Sequence, residues 1–469
     1  MKLLLRQKIW LALILTSNTL LWVIPSNIVA QIARDRHTLL GRYSREHFAC
    51  NLAVLIISLL GLYIDRATGA AYKRRWFQVV AAMLSVIAAL VVVDLLLRTR
   101  QRVYYIKDTL AYHRVPNERY GDTFVDRPLA ALSYPHVPPG YPPITGTLHT
   151  DARGYRNASA LSRADVVVLG DSFAEGSGVS DEHSWAIRLA AKTGLSVYNL
   201  GMSGYDPLNY LASLKEYGLS LQPRWVLCML YEGNDFRSAK SDAERTSPSL
   251  GERFGTYWKQ SPVVEATDRF LLSTFGRLRI DAPVRGIEIL DWLPLAIPVS
   301  EPRYYTFAPK QLVDLLIDSN NFAEGSKWRN TARILSELKD ACAGANSRLV
   351  ILYAPSKAHV VFPLVAEELP ADKVRALMAL DGKGELPPGP ELIRRLVERA
   401  DGRESVVRDC CERESVIFVS LTEPLREACA QGRQAYFTYD QHWTPLGHEV
   451  AAAVVTDRWP AWSASAHAD

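Results

Sequence analysis

The sequence predicts an α/β protein: a parallel sheet with helices on both faces, preceded by an all-α membrane region. Three observations carry this. Three long apolar stretches fill the first hundred residues. Beyond about Thr150, short apolar runs alternate with helix-length segments. Those short runs are apolar throughout, as strands covered on both faces require. A chain of 469 residues suffices for a large core and more than one folded unit. The formal net charge is only +4, and no basic stripe with interleaved aromatics occurs, so nucleic acid is excluded as the expected partner.

The apolar stretches are Ile9–Ala30, Phe48–Ile64 and Trp76–Leu97. Each has about the length needed to cross a hydrocarbon core of roughly 30 Å, so residues 1–100 are expected to hold three transmembrane helices in contact with membrane lipid. The first stretch, broken by Thr16, Asn18 and Pro25, also fits a cleaved signal peptide, but two more spans follow it. Basic residues flank every stretch (Lys2, Arg6 and Lys8; Arg34 and Arg36; Lys73 to Arg75; Arg98 and Arg100), so charge barely biases orientation. An odd number of crossings from a cytoplasmic N-terminus puts the large domain outside, and that topology is expected. Asp94 and the Asn and Ser residues of the spans read as interface or bundle-bonding groups rather than a transport pathway. Six cysteines include no CxxC pair, so a zinc knuckle is not expected. The sequence shows no metal-ligand cluster, and no metal or cofactor is expected. For Cys342, Cys410, Cys411 and Cys429, disulfides and free thiols are both open.

Residues 101–150 show no helical period. Their proline-rich stretch Tyr134–Pro143 reads as an extended linker or strap. The folded domain is expected over 151–469. Strands are expected at Val166–Leu169, Ser196–Tyr198, Trp225–Leu230, Arg348–Tyr353 and Ser415–Val419. Between them fall helices at Trp185–Lys192, Pro207–Tyr217 with proline in its first turn, Lys327–Ala343 and Glu391–Ala400. Glu423–Ala430 and Thr444–Trp459 follow. The alternation breaks over about 236–320, an insertion holding Trp258, Trp292, Tyr304 and Tyr305. Such a stretch fits a lid or substrate wall, a structural elaboration or a partner surface.

Four short motifs carry the chemistry. In Gly170-Asp171-Ser172 the serine follows an apolar strand, where open α/β sheets bind ligands. Gly170 permits the tight turn that exposes the hydroxyl, and the Ser172 amide can face a developing oxyanion. Gly204 of Ser203-Gly204 lets backbone approach a substrate. Asn234 of Gly233-Asn234-Asp235 offers an amide donor at the end of the third strand. Asp440-Gln441-His442-Trp443 supplies a base and an orienting carboxylate. Each block alone also fits an ordinary turn or cap. Their ordered combination is a complete set for attack on an ester carbonyl through an acyl-enzyme. His448, six residues on, reads as structural.

This order of strand–Ser, strand–Gly, strand–Asn and a late Asp/His loop resembles the SGNH (GDSL-type) hydrolase superfamily over about Thr150–Trp459. The resemblance implies a flavodoxin-like sheet, Ser172 as nucleophile, and His442 as base with Asp440 as its partner. It further implies an oxyanion hole of Ser172, Gly204 and Asn234. The spacing Asp-x-His followed by Trp443, rather than Asp-x-x-His, looks like the pattern of proteins of exopolysaccharide O-acetylation. The run Tyr353-Ala354-Pro355-Ser356-Lys357 looks like a strand-end segment of membrane-linked relatives. Lys357 is either a site-lining or a solvated lysine. The implied function is a membrane-anchored serine esterase removing acyl groups, acetyl being expected, from envelope or secreted glycans. The alternatives are an O-acyltransferase acetylating such a glycan and a non-catalytic glycan-binding protein.

Overall fold

The computed structural model describes residues 5–23, 37–39, 45–100, 105–106, 109–126, 140–236, 261–278, 293–295, 303–379 and 385–465. The chain forms two compact units. One comprises Met1–Arg102, Leu129–Pro135 and Pro248–Arg285; the other comprises Val103–Pro128, His136–Ser247 and Gly286–Asp469.

The first unit is built on apolar helices at Leu5–Val23, Arg45–Asp65 and Gly69–Arg100. Of the three expected spans, one helix among the described residues, Gly69–Leu97, is long and apolar enough to cross a membrane. The second yields a shorter apolar segment, Asn51–Asp65. The first includes Thr16 to Asn18 and reaches Val23; its remainder lies outside the described residues. Several polar groups of these helices find partners within the unit. Trp10 Nε1 donates to Asp65 at 2.8 Å. Asp94 accepts from the Ser261 hydroxyl at the start of helix Pro262–Phe275. That helix comes from the expected insertion, so part of 236–320 belongs to this unit. Trp258 and Trp292 lie outside the described residues.

The second unit holds a five-stranded parallel sheet of β1 (Val166–Leu169), β2 (Val197–Asn199), β3 (Trp225–Tyr231), β4 (Arg348–Ala354) and β5 (Ile417–Ser420). Its order is 2-1-3-4-5, the flavodoxin-like arrangement. Every residue of β1 and β3 is buried, which is why these runs are apolar on both faces. Alternate side chains feed two layers. Val167, Leu169, Val226, Cys228, Leu230 and Ile351 pack with Leu211, Ile334, Leu338 and Val407 of α2 (Pro207–Ser213), α3 (Ser326–Gly344) and α5 (Gly402–Arg413). The opposite layer is α1 (Trp185–Thr193), α4 (Lys357–Val365), α6 (Thr422–Ala430) and α7 (Pro445–Ser465). There Trp225 stacks on Trp462 at 6.0 Å. The five described cysteines other than Cys50 are all buried free thiols, which answers the open disulfide question for Cys342, Cys410, Cys411 and Cys429.

The described part of the expected linker is more than a tether. Tyr105–Ile106 pairs with His113–Arg114, and Arg119–Phe124 pairs with Ile144–His149, both antiparallel. Short ladders of mixed polarity leave no apolar run to read, and Tyr134–Pro139 lies outside the described residues. The hairpin packs on the domain through Phe124, whose ring lies 4.6 Å from that of Phe437.

Candidate active site

Parallel strands place all their carboxyl ends on one edge of the sheet, and order 2-1-3 sets β1 between β2 and β3. Ser172, Gly204 and Asn234 therefore leave three adjacent strands at the switch point where open α/β sheets bind ligands. Ser172 starts a single helical turn, Ser172–Glu175, capped by Asp171, whose carboxylate accepts from Phe173 N at 2.9 Å. Gly170 has φ +151°, and a Cβ there would meet the Ala174 Cβ at 2.5 Å. Only glycine makes this turn.

The late loop comes to Ser172. His442 Nε2 lies 2.7 Å from Ser172 Oγ, and His442 Nδ1 lies 2.5 Å from Asp440 Oδ1. Asp440 only accepts, so Nδ1 carries the proton and Nε2 is left to accept from the serine hydroxyl. The Asp-x-His spacing is short, but the same Asp440 oxygen also accepts His442 N at 2.8 Å, which folds the carboxylate back onto its own imidazole. Burial pushes the His442 pKa down, but the Asp440 hydrogen bond and charge reverse this and leave it raised. Burial pushes Asp440 up, and the bond and charge of His442 hold it below the usual carboxylate range. Trp443 is fully buried, edge-on to Phe173 at 4.9 Å and bridged to Tyr436. It anchors the loop from beneath.

Two of the expected oxyanion donors have identifiable supports. Asn234 Nδ2 donates one hydrogen to Asp171 Oδ2 at 3.0 Å, and its second N–H remains for a ligand. Burial pushes the Asp171 pKa up to about 6, opposed by its bond from Phe173 N–H and by His442. Gly204 sits at φ +83° with the Tyr112 hydroxyl 3.0 Å from where a Cβ would be. That hydroxyl donates to Ser203 O at 3.0 Å, and Ser203 N donates to Glu175 Oε2 at 3.2 Å. Glu175 is fully buried and paired with Arg114 at 2.5 Å. Burial works to raise its pKa, but the Arg114 guanidinium holds it below the usual range. The Gly204 loop is thus braced by Tyr112 and Arg114, from a stretch with no motif to flag it.

Lys357 neither lines the site nor is solvated. Its buried ammonium donates to three carbonyls of the Asp440 loop. His448 is buried on α7 against Trp443, in keeping with a structural role. Among the described residues no group of His, Cys, Asp and Glu could hold a metal ion. The arrangement offers a hydroxyl, an imidazole acceptor, an orienting carboxylate and the Asn234 amide beside them. That set is suited to acyl transfer.

No curated protein matches the chain. It is similar to a solved member of the lipolytic G-D-S-L family from Veillonella parvula, at 10% identity and TM-score 0.29, over 62% of this chain and 96% of that one. It is also similar to a mutant acetyl-xylooligosaccharide esterase from Geobacillus Stearmophilus, at 12% identity and TM-score 0.30, over 63% of this chain and 93% of that one. A model of the GDSL-like lipase/acylhydrolase family matches residues 168–450, from β1 through the Asp440–His442 loop into α7. The chain belongs to the GDSL-like lipase/acylhydrolase family.

Proposed function

We propose that the protein is a membrane-anchored serine esterase that removes acyl groups, acetyl foremost, from envelope or secreted glycans. The observation that carries the chemistry is the continuous relay Ser172 Oγ, His442, Asp440. Ser172 attacks the ester carbonyl while His442 Nε2 takes its proton. Asp440 holds the ring and stabilises the imidazolium. The oxyanion is met by the amides of Ser172 and Gly204 and by the free Asn234 N–H. The imidazolium protonates the departing sugar oxygen, and water, activated by the same His442, resolves the acyl-enzyme.

The apolar helix Gly69–Leu97 supports anchoring. In this reading the first unit is the membrane region, the second unit is the catalytic domain, and the active site faces outside the cytoplasm. Glycan as substrate is supported by the Asp-x-His-Trp block. An O-acyltransferase uses the same acyl-enzyme and differs only in the acceptor. The test supplies p-nitrophenyl acetate to wild type and Ser172→Ala, with and without oligosaccharides, and quantifies acetate and acetylated sugar. Ser172-dependent acetate release unaffected by sugar supports the esterase. Ser172-dependent sugar acetylation replaces it with the transferase. Inert wild-type protein, unreactive to serine-directed phosphonates, leaves glycan binding as the function.

A further inference from the structure

The family match starts at residue 168, yet an acid far upstream reaches into the histidine loop. Asp126 is 2% exposed. Its Oδ1 accepts from Tyr439 N at 3.1 Å and Asp440 N at 2.9 Å. Its Oδ2 accepts from Thr438 N at 2.7 Å and Tyr141 N at 3.0 Å. Lys357, fully buried at the start of α4, donates to the carbonyls of Phe437 at 3.0 Å, Thr438 at 2.9 Å and Asp440 at 2.8 Å. A carboxylate has about four acceptor positions and an ammonium three donors, so both groups are matched to the backbone around them. Residues 437–440 belong to no helix or strand and need such partners to hold one conformation.

We propose that Asp126 and Lys357 are positioning residues for the reaction. Gripping residues 437–440 by their N–H and C=O groups, they set where the Asp440 carboxylate stands and hence where His442 meets Ser172. The proposal rests on the reading of Ser172, His442 and Asp440 as the catalytic relay. Their hydrogen bonds here go to backbone groups of the loop and of Tyr141, and Asp126 and Asp440 are 314 residues apart in the chain. Charge suits the task because each buried ion is stabilised by several backbone dipoles at once, and charge-assisted bonds are the stronger ones. A neutral side chain of this size cannot accept four N–H groups.

The experiment uses the full chain in detergent with p-nitrophenyl acetate as probe. Competent sites are titrated to completion with a serine-directed phosphonate, so kcat is counted per competent site. Asp126→Asn keeps the size but turns an N–H₂ group toward two backbone N–H donors. It is expected to lower kcat per site about 10²-fold, the scale of a small misplacement of reacting groups, with KM within about twofold of wild type. Lys357→Met, which keeps the unbranched stem, is expected to do the same. A purely structural role would reduce the number of titratable sites and leave kcat per site alone. That result, kcat within about twofold in both variants, overturns the proposal. Where Asp126→Asn yields no titratable protein, Asp126→Glu, with its carboxylate displaced by one methylene, decides on the same two quantities. Ser172→Ala runs in parallel. Full turnover there overturns the catalytic reading itself. Ser172-dependent turnover with normal kcat in the Asp126 variants overturns only this proposal.

Discussion

Two histidines of this domain are bonded through both ring nitrogens, and their partners give them opposite characters. His442 has one carboxylate, Asp440, and one hydroxyl, Ser172. His359, fully buried on α4, lies between two carboxylates, with Glu232 at 3.2 Å on Nδ1 and Asp401 at 2.8 Å on Nε2. Two acceptors demand two N–H donors, so His359 is an imidazolium. One acceptor and one hydroxyl leave His442 a lone pair to take a proton. Burial disfavours charge at both sites. At His359 the Glu232 charge and the Asp401 bond win and lift the pKa to about 9. A histidine–carboxylate contact therefore says little by itself. The partner on the second nitrogen separates a base from a cationic staple.

Removing the hydroxyl is the sharpest break in this comparison. Ser172→Ala is expected to lower kcat on the order of 10⁶-fold without loss of fold, because the side chain sits at the head of a single helical turn. Burst amplitude with p-nitrophenyl acetate checks it, and a persisting burst would remove Ser172 from the chemistry. Asp440→Asn comes next, with a loss on the order of 10⁴-fold through the wrong tautomer. It also carries a pH signature. His442 must be neutral to act, so activity falls as pH drops through its pKa. Asp440 raises that pKa, placing the acid limb of kcat/KM above the ordinary imidazole value of 6.5. The substitution should move the limb down; an unmoved limb would deny the pair its role. Asn234→Ala should cost on the order of 10² to 10³ in kcat with KM little changed, since its donor acts on charge formed in the transition state. A change confined to KM would count against an oxyanion role.

What the sequence revealed follows the same division between local and distant partners. Val166–Leu169 has the same bounds in the structure because a strand buried on both faces writes itself as an unbroken apolar run. Ser172, Gly204, Asn234 and His442 are legible because each stands in a short motif at a strand end or helix start. Several helices carry no sequence signal, Lys357–Val365 and Gly402–Arg413 among them. Lys357–Val365 is buried almost all round and contains Pro363, so no amphipathic period marks it. Half of Gly402–Arg413 is charged, and two of those side chains, Arg403 and Glu404, are buried among its apolar ones. Arg114, Asp126 and Glu175 carry no sequence signal for a different reason. A buried acid looks like a surface acid until its partner is known, and three of the four donors to Asp126 lie more than three hundred residues away.

The smallest effect on catalysis is expected at the second histidine. His359→Gln should leave kcat and the acid limb unchanged, because His359 has no bond to the Ser172 relay. It should instead destabilise the fold by about 3 kcal/mol, the scale for stranding one partner of a buried ion pair. Glu232, held down to about 2 chiefly by His359 against the opposing effect of burial, would lose its nearest cation. The surroundings fix the pH dependence: Glu232 and Asp401 face the ring, and Arg426 donates to Asp401 and to the His359 carbonyl. A folded-state pKa of about 9 lies above the 6.5 of the free imidazole, so this stabilisation is fully present below pH 6.5 and is lost as pH rises through 9. Wild-type Tm should therefore decline across that window, and the decline should be shallower in His359→Gln. Identical slopes in the two proteins would mean that His359 is not the charged staple its two carboxylates make it, and the contrast with His442 would lose its basis.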